Sequence, residues 1–376
     1  MGLGLYIHVP FCRTRCHFCA FYLQIYRPDK GQAYVRALAR EIALHAELNT
    51  LTGRPLDTVY FGGGTPTVVP PADLISILAT VRDLFSLRPH AEITLEAHPD
   101  SVTAEGLDLY LRAGFNRISF GAQSMDGAEL VRVGRPTSPD RTRTAVTLAR
   151  RAGFTNINLD VIYGLPGQTL DSWRSTLDQT IALGPAHLSC YAMTVEDDTR
   201  LHRTVERGEW ETDTDLQLAM EREIARQSVA AGFQRYEVSN FCRPGYGCRH
   251  NLLYWTDGEY LGIGPSAQSY LDGRRFGTLE DLVIYQDRLM AGRMPVAYTE
   301  HLTAEQRRRE AVVFGLRLTG GVDAAMVAGA AAGPGTLWSQ SLERMIRDGL
   351  VEHCADRIRL TEVGRRFADT VAVALL

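Results

Sequence analysis

Strand-like and helix-like segments alternate along the first half of this chain, and no other feature restricts its fold as much. Apolar, β-branched runs fall at residues 3–9, 56–61, 92–96, 117–121, 156–162 and 187–192, and helical periodicity occupies 33–48, 72–85, 104–113, 141–152 and 170–183. Successive βα units build a parallel sheet with helices over its outer face. With fewer than eight units the expected α/β architecture is a partial (β/α)6 barrel, splayed open. A doubly wound open sheet has the same periodicity and stands as the alternative. In either case ligands gather beyond the carboxyl ends of the strands.

Polar residues accumulate at those ends. Gly62-Gly63-Gly64-Thr65-Pro66 follows the second strand, where glycines let backbone approach a ligand, although glycine runs also make plain turns. Glu96 ends the third strand, Gln123 follows the fourth, and Asp160 lies in Asn158-Leu159-Asp160-Val161-Ile162-Tyr163-Gly164-Leu165-Pro166. One acid at a strand end is commonly a solvated loop residue or helix cap. Repetition over successive strands points to one shared mouth.

After the first strand, Cys12-x-x-x-Cys16-x-x-Cys19 puts three of the seven cysteines on one loop. Three thiolates hold three corners of an iron–sulfur cube and leave the fourth iron open, which suits chemistry better than structural support. A zinc site completed by His8 or His17 is the competing reading. The spacing resembles the radical S-adenosylmethionine (radical SAM) superfamily. That resemblance implies a 4Fe-4S cluster on Cys12, Cys16 and Cys19, S-adenosylmethionine on the open iron, and reductive cleavage to a 5′-deoxyadenosyl radical.

Taken together, Tyr6, the cysteine triad, the glycine run, Glu96, Gln123 with Arg135, and Asp160 before Tyr163-Gly164-Leu165-Pro166 resemble the oxygen-independent coproporphyrinogen III oxidase family from Tyr6 to at least Tyr270. The resemblance implies S-adenosylmethionine binding by Tyr6, Gly63, Glu96, Gln123, Arg135 and Asp160, with Gly64 and Thr65 at the place of a second cofactor molecule. Carboxylates and amides suit ribose hydroxyls, and Arg135 offers a fork for a carboxylate. The oxidase carries a fourth cysteine two residues after the third, where this chain has Ala20-Phe21, so porphyrinogen decarboxylation is not the expected activity.

His250-Asn251-x-x-Tyr254-Trp255 resembles the motif of the HemW-type heme chaperones of the same family. An imidazole ligates heme iron, and Tyr254 and Trp255 offer flat apolar surface beside a porphyrin. A core histidine with aromatics packed round it is the structural alternative. Ala20 and Gln268 stand where that branch commonly has an acid and a histidine. Cys242 and Cys248 read as reduced loop thiols, and Gly262-x-Gly264 lacks the acid of a dinucleotide loop.

Helical patterns at 304–317 and 337–349, a short strand at 358–361 and a last helix look like a small winged-helix module, an α+β domain that the family carries. Residues 1–195 are thus expected to form the barrel core, 196–295 to complete it and carry the heme motif, and 296–376 to form the small domain. The 40 basic and 44 acidic residues give a net charge of −4, which calls for no nucleic acid. The chain begins without a secretory pattern and has no apolar run of about 18 residues, so the expected location is cytoplasmic.

The function implied by the resemblance is a heme chaperone that hands heme to apo-hemoproteins. An electron donor such as flavodoxin or ferredoxin is implied as partner, and contact with a membrane would come through the acceptor. A radical methyltransferase or cyclopropane-forming enzyme acting on a small molecule is the enzyme alternative, ahead of anaerobic coproporphyrinogen III oxidase.

Overall fold

Strand order separates the two architectures. In the computed structural model, which describes residues 2–51, 53–331 and 335–376, the strands β1 (Leu3–Val9), β2 (Leu56–Gly63), β3 (Leu87–Ala97), β4 (Arg117–Gln123), β5 (Asn156–Tyr163) and β6 (His187–Ala192) pair side by side in chain order, every pair parallel. A doubly wound sheet reverses its direction of winding at a switch point, and this one does not. Same-handed crossovers put Pro28–Glu47, Pro71–Leu84, Ala104–Ala113, Pro139–Ala152 and Leu170–Ala182 on one face, and neighbouring helices of this series touch. The result is the partial barrel.

Two-residue alternation explains the curl and the core. Leu5, Ile7, Val59, Phe61, Leu95, Phe120 and Leu159 are all fully buried toward the helices and join one hydrophobic cluster. The residues between them are polar and line up across the sheet: Glu96 stands beside Ser119, and Asp160 lies between Gly121 and Ser189. Helix ends follow local chemistry. Thr103 caps Ala104–Ala113 by accepting from Gly106 N at 3.1 Å, and Gly114 closes it in the left-handed region at φ 94°.

Residues 234–301 extend the sheet at both edges. A seventh parallel strand, β7 (Glu259–Ile263), pairs with the free side of β1, followed by antiparallel Gln268–Leu271, Arg274–Thr278 and Val296–His301. On the other edge Asn240–Cys242 runs antiparallel to β6 and is followed by Gln234–Arg235. Among the described residues no ladder joins the two edges, so the barrel stays open. Helix Thr214–Ala230, unmarked by the sequence reading, packs on Leu170–Ala182 and accepts the Trp173 indole N–H at Met220 O, 3.0 Å.

Beyond the sheet, Ala304–Gly315, Val322–Asp323, Ala324–Ala330, Leu337–Arg347 and the hairpin Val351–Cys354 with Arg357–Leu360 make a winged-helix arrangement round its own cluster of Val312, Leu316, Trp338, Leu342 and Ile358. Because Val296–His301 belongs to the large sheet, the small domain starts some residues later than 296. Residues 332–334 of the Ala- and Gly-rich stretch lie outside the described residues. No helix among the described residues is long and apolar enough to cross a membrane.

A buried carboxyl ties the barrel's first helix to its last turn. Glu41 Oε2 accepts from Gly264 N at 2.8 Å and Tyr285 Oη at 2.5 Å. Burial pushes Glu41 up to about 7 from its ordinary 4.5. A carboxyl with a raised pKa stabilises the fold below its unfolded pKa, and that contribution is lost as pH rises through the folded value. Glu41→Gln keeps the acceptor and removes the titration. Melting temperatures of variant and parent are therefore expected to diverge in the variant's favour as pH rises from 4.5 through 7. A constant difference would refute this.

Candidate functional site

The cysteine loop is anchored at both ends before any ligand is considered. Phe11–Cys12 pairs in parallel with Gln24–Ile25, and Tyr26 N donates to Cys12 O at 2.9 Å. His17 N donates to Val133 O at 2.9 Å, holding the middle of the loop against the end of helix Gly127–Arg132. Gly64 lets the loop come this close: a Cβ there would stand 2.6 Å from Phe11 O and 2.9 Å from Val9 O. The glycine run thus serves a tight backbone contact and the cavity wall together.

Cys12, Cys16 and Cys19 all line one cavity of about 680 Å³ at the carboxyl end of the barrel. Thr65 Oγ1 lies 3.3 Å from Cys12 Sγ, and Arg135 Nη1 donates to Cys16 Sγ at 3.5 Å. Burial pushes the Cys12 thiol up to about 11 and raises that of Cys19. The donor set fits a cluster, whose corners hold three sulfurs apart in front of open space. Of the zinc alternative's two histidines, His8 has Tyr6 Oη at 3.2 Å on Nδ1 and Tyr22 O at 3.3 Å on Nε2, while His17 has Arg132 O 3.1 Å from Nδ1 and keeps Nε2 open. Among the described residues no three His, Cys, Asp or Glu side chains converge as a single ion requires.

Gly63, Gly64, Thr65, Glu96, Gln123, Arg135 and Asp160 line the same cavity. Glu96 accepts from Tyr60 Oη at 2.7 Å and Gly63 N at 3.2 Å, and burial pushes it up to about 7. Gln123 sits in the left-handed region at φ 65°, where the β4–β5 register shifts, so its amide leaves the regular row. Arg135 is buried, with Nη2 donating to Gly121 O and Nε without a partner. Asp160 accepts from Asn158 Nδ2 at 2.7 Å and Ser119 Oγ at 3.1 Å, and burial raises its pKa. Tyr6 lies behind this wall, its ring 6.1 Å from that of Tyr60.

The inward row also holds polar residues beyond the expected set. Arg117 is fully buried on the cavity floor, and its Nε and Nη1 have no hydrogen-bond partner. Ser119, Asn158 and Ser189 join the Asp160 network, which continues from Asn158 Oδ1 to His187 Nδ1 at 2.6 Å. Their signal was present as polar residues two apart in apolar runs, at 117 and 119, 158 and 160, and 187 and 189.

The histidine motif divides. It lies on helix Arg249–Trp255, whose first N–H groups donate to Glu92: Arg249 N at 3.1 Å and His250 N at 3.1 Å. Asn251 reaches the large cavity. His250 does not. It is buried, with Thr58 Oγ1 at 2.7 Å on Nδ1 and Tyr254 Oη at 2.9 Å on Nε2, and burial pushes it down to about 3. Its ring stacks 5.0 Å from that of Tyr60. Tyr254 and Trp255 instead line a separate aromatic cavity of about 250 Å³, with Tyr260, Tyr270 and Phe314 of the small domain. Ala20 and Phe21 are in the wall of the large cavity, whereas Gln268 is exposed and bonded by Tyr298. Cys242 and Cys248 are buried free thiols, the latter donating to Glu92 at 3.6 Å.

Thr58→Val strips His250 Nδ1 of its partner without changing shape. A buried polar atom left unsatisfied costs about 1–3 kcal/mol, so the variant is expected to unfold at lower urea by that amount. Unchanged stability would show that His250 does not depend on this bond.

Comparison with known proteins agrees with this architecture. Residues 6–180 match the Radical SAM superfamily model and 302–367 the HemN C-terminal domain. The chain is 40% identical to Heme chaperone HemW of Mycobacterium tuberculosis, over 99% of this chain and 94% of that protein. It is 32% identical to Heme chaperone HemW of Bacillus subtilis over 99% and 98%, respectively. The solved coproporphyrinogen III oxidase (HemN) of Escherichia coli, a radical SAM enzyme, superposes with a TM-score of 0.87 at 26% identity, covering 100% of this chain and 90% of that one. Membership of the radical SAM superfamily implies a 4Fe-4S cluster and S-adenosylmethionine. On this likeness, extending over nearly the whole length of both chains, the protein belongs to the HemW family of radical SAM proteins.

Proposed function

We propose that the protein is a radical SAM heme chaperone, which binds heme and passes it to apo-hemoproteins in the cytoplasm. In this reading Cys12, Cys16 and Cys19 hold the 4Fe-4S cluster. Tyr6, Gly63, Gly64, Thr65, Glu96, Gln123, Arg135 and Asp160 surround S-adenosylmethionine, and His250, Asn251, Tyr254 and Trp255 serve heme. The bound cofactor supplies one-electron chemistry; a donor such as flavodoxin or ferredoxin reduces the cluster, and any membrane contact comes through the acceptor. Glu96 and Asp160 are placed to accept from hydroxyls, and Arg135 has a buried donor to spare for a carboxylate.

The observation that carries the reading is the full-length likeness to heme chaperones together with the place of Tyr254 and Trp255, which wall an aromatic cavity at the domain junction. Ligation of iron by His250 requires the imidazole to exchange Tyr254 Oη or Thr58 Oγ1 for the metal, and so a shift of helix Arg249–Trp255. An enzyme reading draws on a second cavity of about 590 Å³ that shares Cys12, Thr65 and Arg135 with the first, room for a second small molecule.

The decisive experiment is an anaerobic heme titration of cluster-loaded parent and His250→Ala, with melting curves to check folding. Saturable, stoichiometric binding with a Soret shift lost in the variant is expected. If the parent fails to bind, or both bind alike, the role of His250 as heme ligand is refuted and transfer chemistry on a small molecule takes precedence. Separately, Cys16→Ala is expected to lose iron and sulfide after anaerobic reconstitution. Unchanged contents would sink the cluster assignment.

A further inference from the structure

A third cavity, of about 290 Å³, opens where the free edge of the barrel meets the small domain. It adjoins the cofactor cavity, since Tyr191, Ala192 and Thr194 line both. Its charged lining is unbalanced: Arg235, Arg317, Arg365 and Arg366 face Glu221 and Asp369. Glu221 is fully engaged, accepting from Arg235 at 3.0 Å and Arg366 at 2.8 Å. Asp369 meets Arg317 at 3.3 Å but its side chain is 95% exposed, so the pair is screened by water.

Two guanidinium groups are left short of partners. Arg365 Nε is buried without a hydrogen bond, and among the described residues its one bond is long, 3.5 Å to the Leu360 carbonyl. Arg317 Nε is likewise buried and unbonded, with the nearest Glu237 oxygen at 3.9 Å. Burial and the Arg235 charge hold Arg365 below its ordinary pKa. A concave site with forked donors left unmet suits carboxylates.

Size and position narrow the ligand. Drug-sized ligands occupy about 300–1,000 Å³, so this cavity takes acidic arms and not a macrocycle. Arg317 belongs to this lining and also lies over the Trp255 ring, 4.6 Å from its centroid. Carboxylates held here therefore belong to a ligand whose apolar body lies against the motif or across the barrel mouth. We propose that this arginine cavity receives the propionate arms of heme, with Arg365 and Arg317 as the binding residues. The inference rests on the chaperone reading and adds to it the group that orients the cargo.

The test uses full-length, cluster-loaded protein, titrated with heme and with heme dimethyl ester, whose arms carry no charge. The variants are Arg365→Gln and Arg365→Lys. Heme is expected to bind Arg365→Gln about tenfold more weakly than the parent, the loss of one charged hydrogen bond. Arg365→Lys should recover part of that. The ester, which forfeits the charged contacts to both arginines, should bind the parent at least as weakly as heme binds Arg365→Gln, and should be indifferent to the substitution. Equal affinity of the parent for heme and ester, or of Arg365→Gln and parent for heme, overturns the inference and leaves the chaperone reading standing. A parent that binds no heme overturns both. Should Arg365→Gln misfold, as judged by its melting curve and iron content, the ester comparison on the parent decides alone.

Discussion

The structure depends on a two-residue alternation in parallel strands. One face of the sheet carries residues such as Ile7, Phe61, Leu95 and Phe120, fully buried under the helices. Burial of a side chain of this size contributes about 1.5–3 kcal/mol, and the series ties strands to helices along the whole curve. The other face points to the barrel axis and carries Tyr60, Glu96, Arg117, Ser119, Asn158, Asp160 and Ser189. Polar groups withdrawn from water must find partners in each other. Their network is hence the wall of the site.

That network is only partly self-satisfied. Asn158 joins Ser119, Asp160, Ser189 and His187 in one connected set. Glu96 and Asp160 are carboxyls whose pKa burial raises, and Arg117 and Arg135 keep buried nitrogens without partners. Acceptors and donors left open around one volume favour a ligand that carries both hydroxyls and charge, and S-adenosylmethionine has both. The mixed arrangement also keeps opposite charges within one low-dielectric space, where they moderate each other.

The opposite end of the barrel is closed by helix Arg249–Trp255. Glu92 accepts from its first N–H groups, favoured by the helix dipole, and Thr58 receives His250. A ring stack from His250 to Tyr60, and the Tyr60 hydroxyl to Glu96, connects this plug to the wall of the large cavity. On its outer side the same helix meets the small domain, where Arg317 covers Trp255. The motif is thus a hub between the cavity within and the junction without, and the aromatic and arginine cavities flank it.

What the sequence alone determined was local and periodic. The six strands with the five helices between them, the cysteine loop and the candidates Gly63, Glu96, Gln123 and Asp160 were legible because period, spacing and turn chemistry are written in consecutive residues. So was the small domain's helical pattern. The seventh strand, Glu259–Ile263, was not, since it is short and its partner β1 lies more than two hundred residues away. The placing of His250 was likewise decided by tertiary structure: only folding brings Thr58, Tyr60 and Tyr254 round its ring and gives both its nitrogens hydrogen-bond partners. The arginine cavity has four arginines spread from 235 to 366, and charge convergence of that kind exists only where separate elements meet in space.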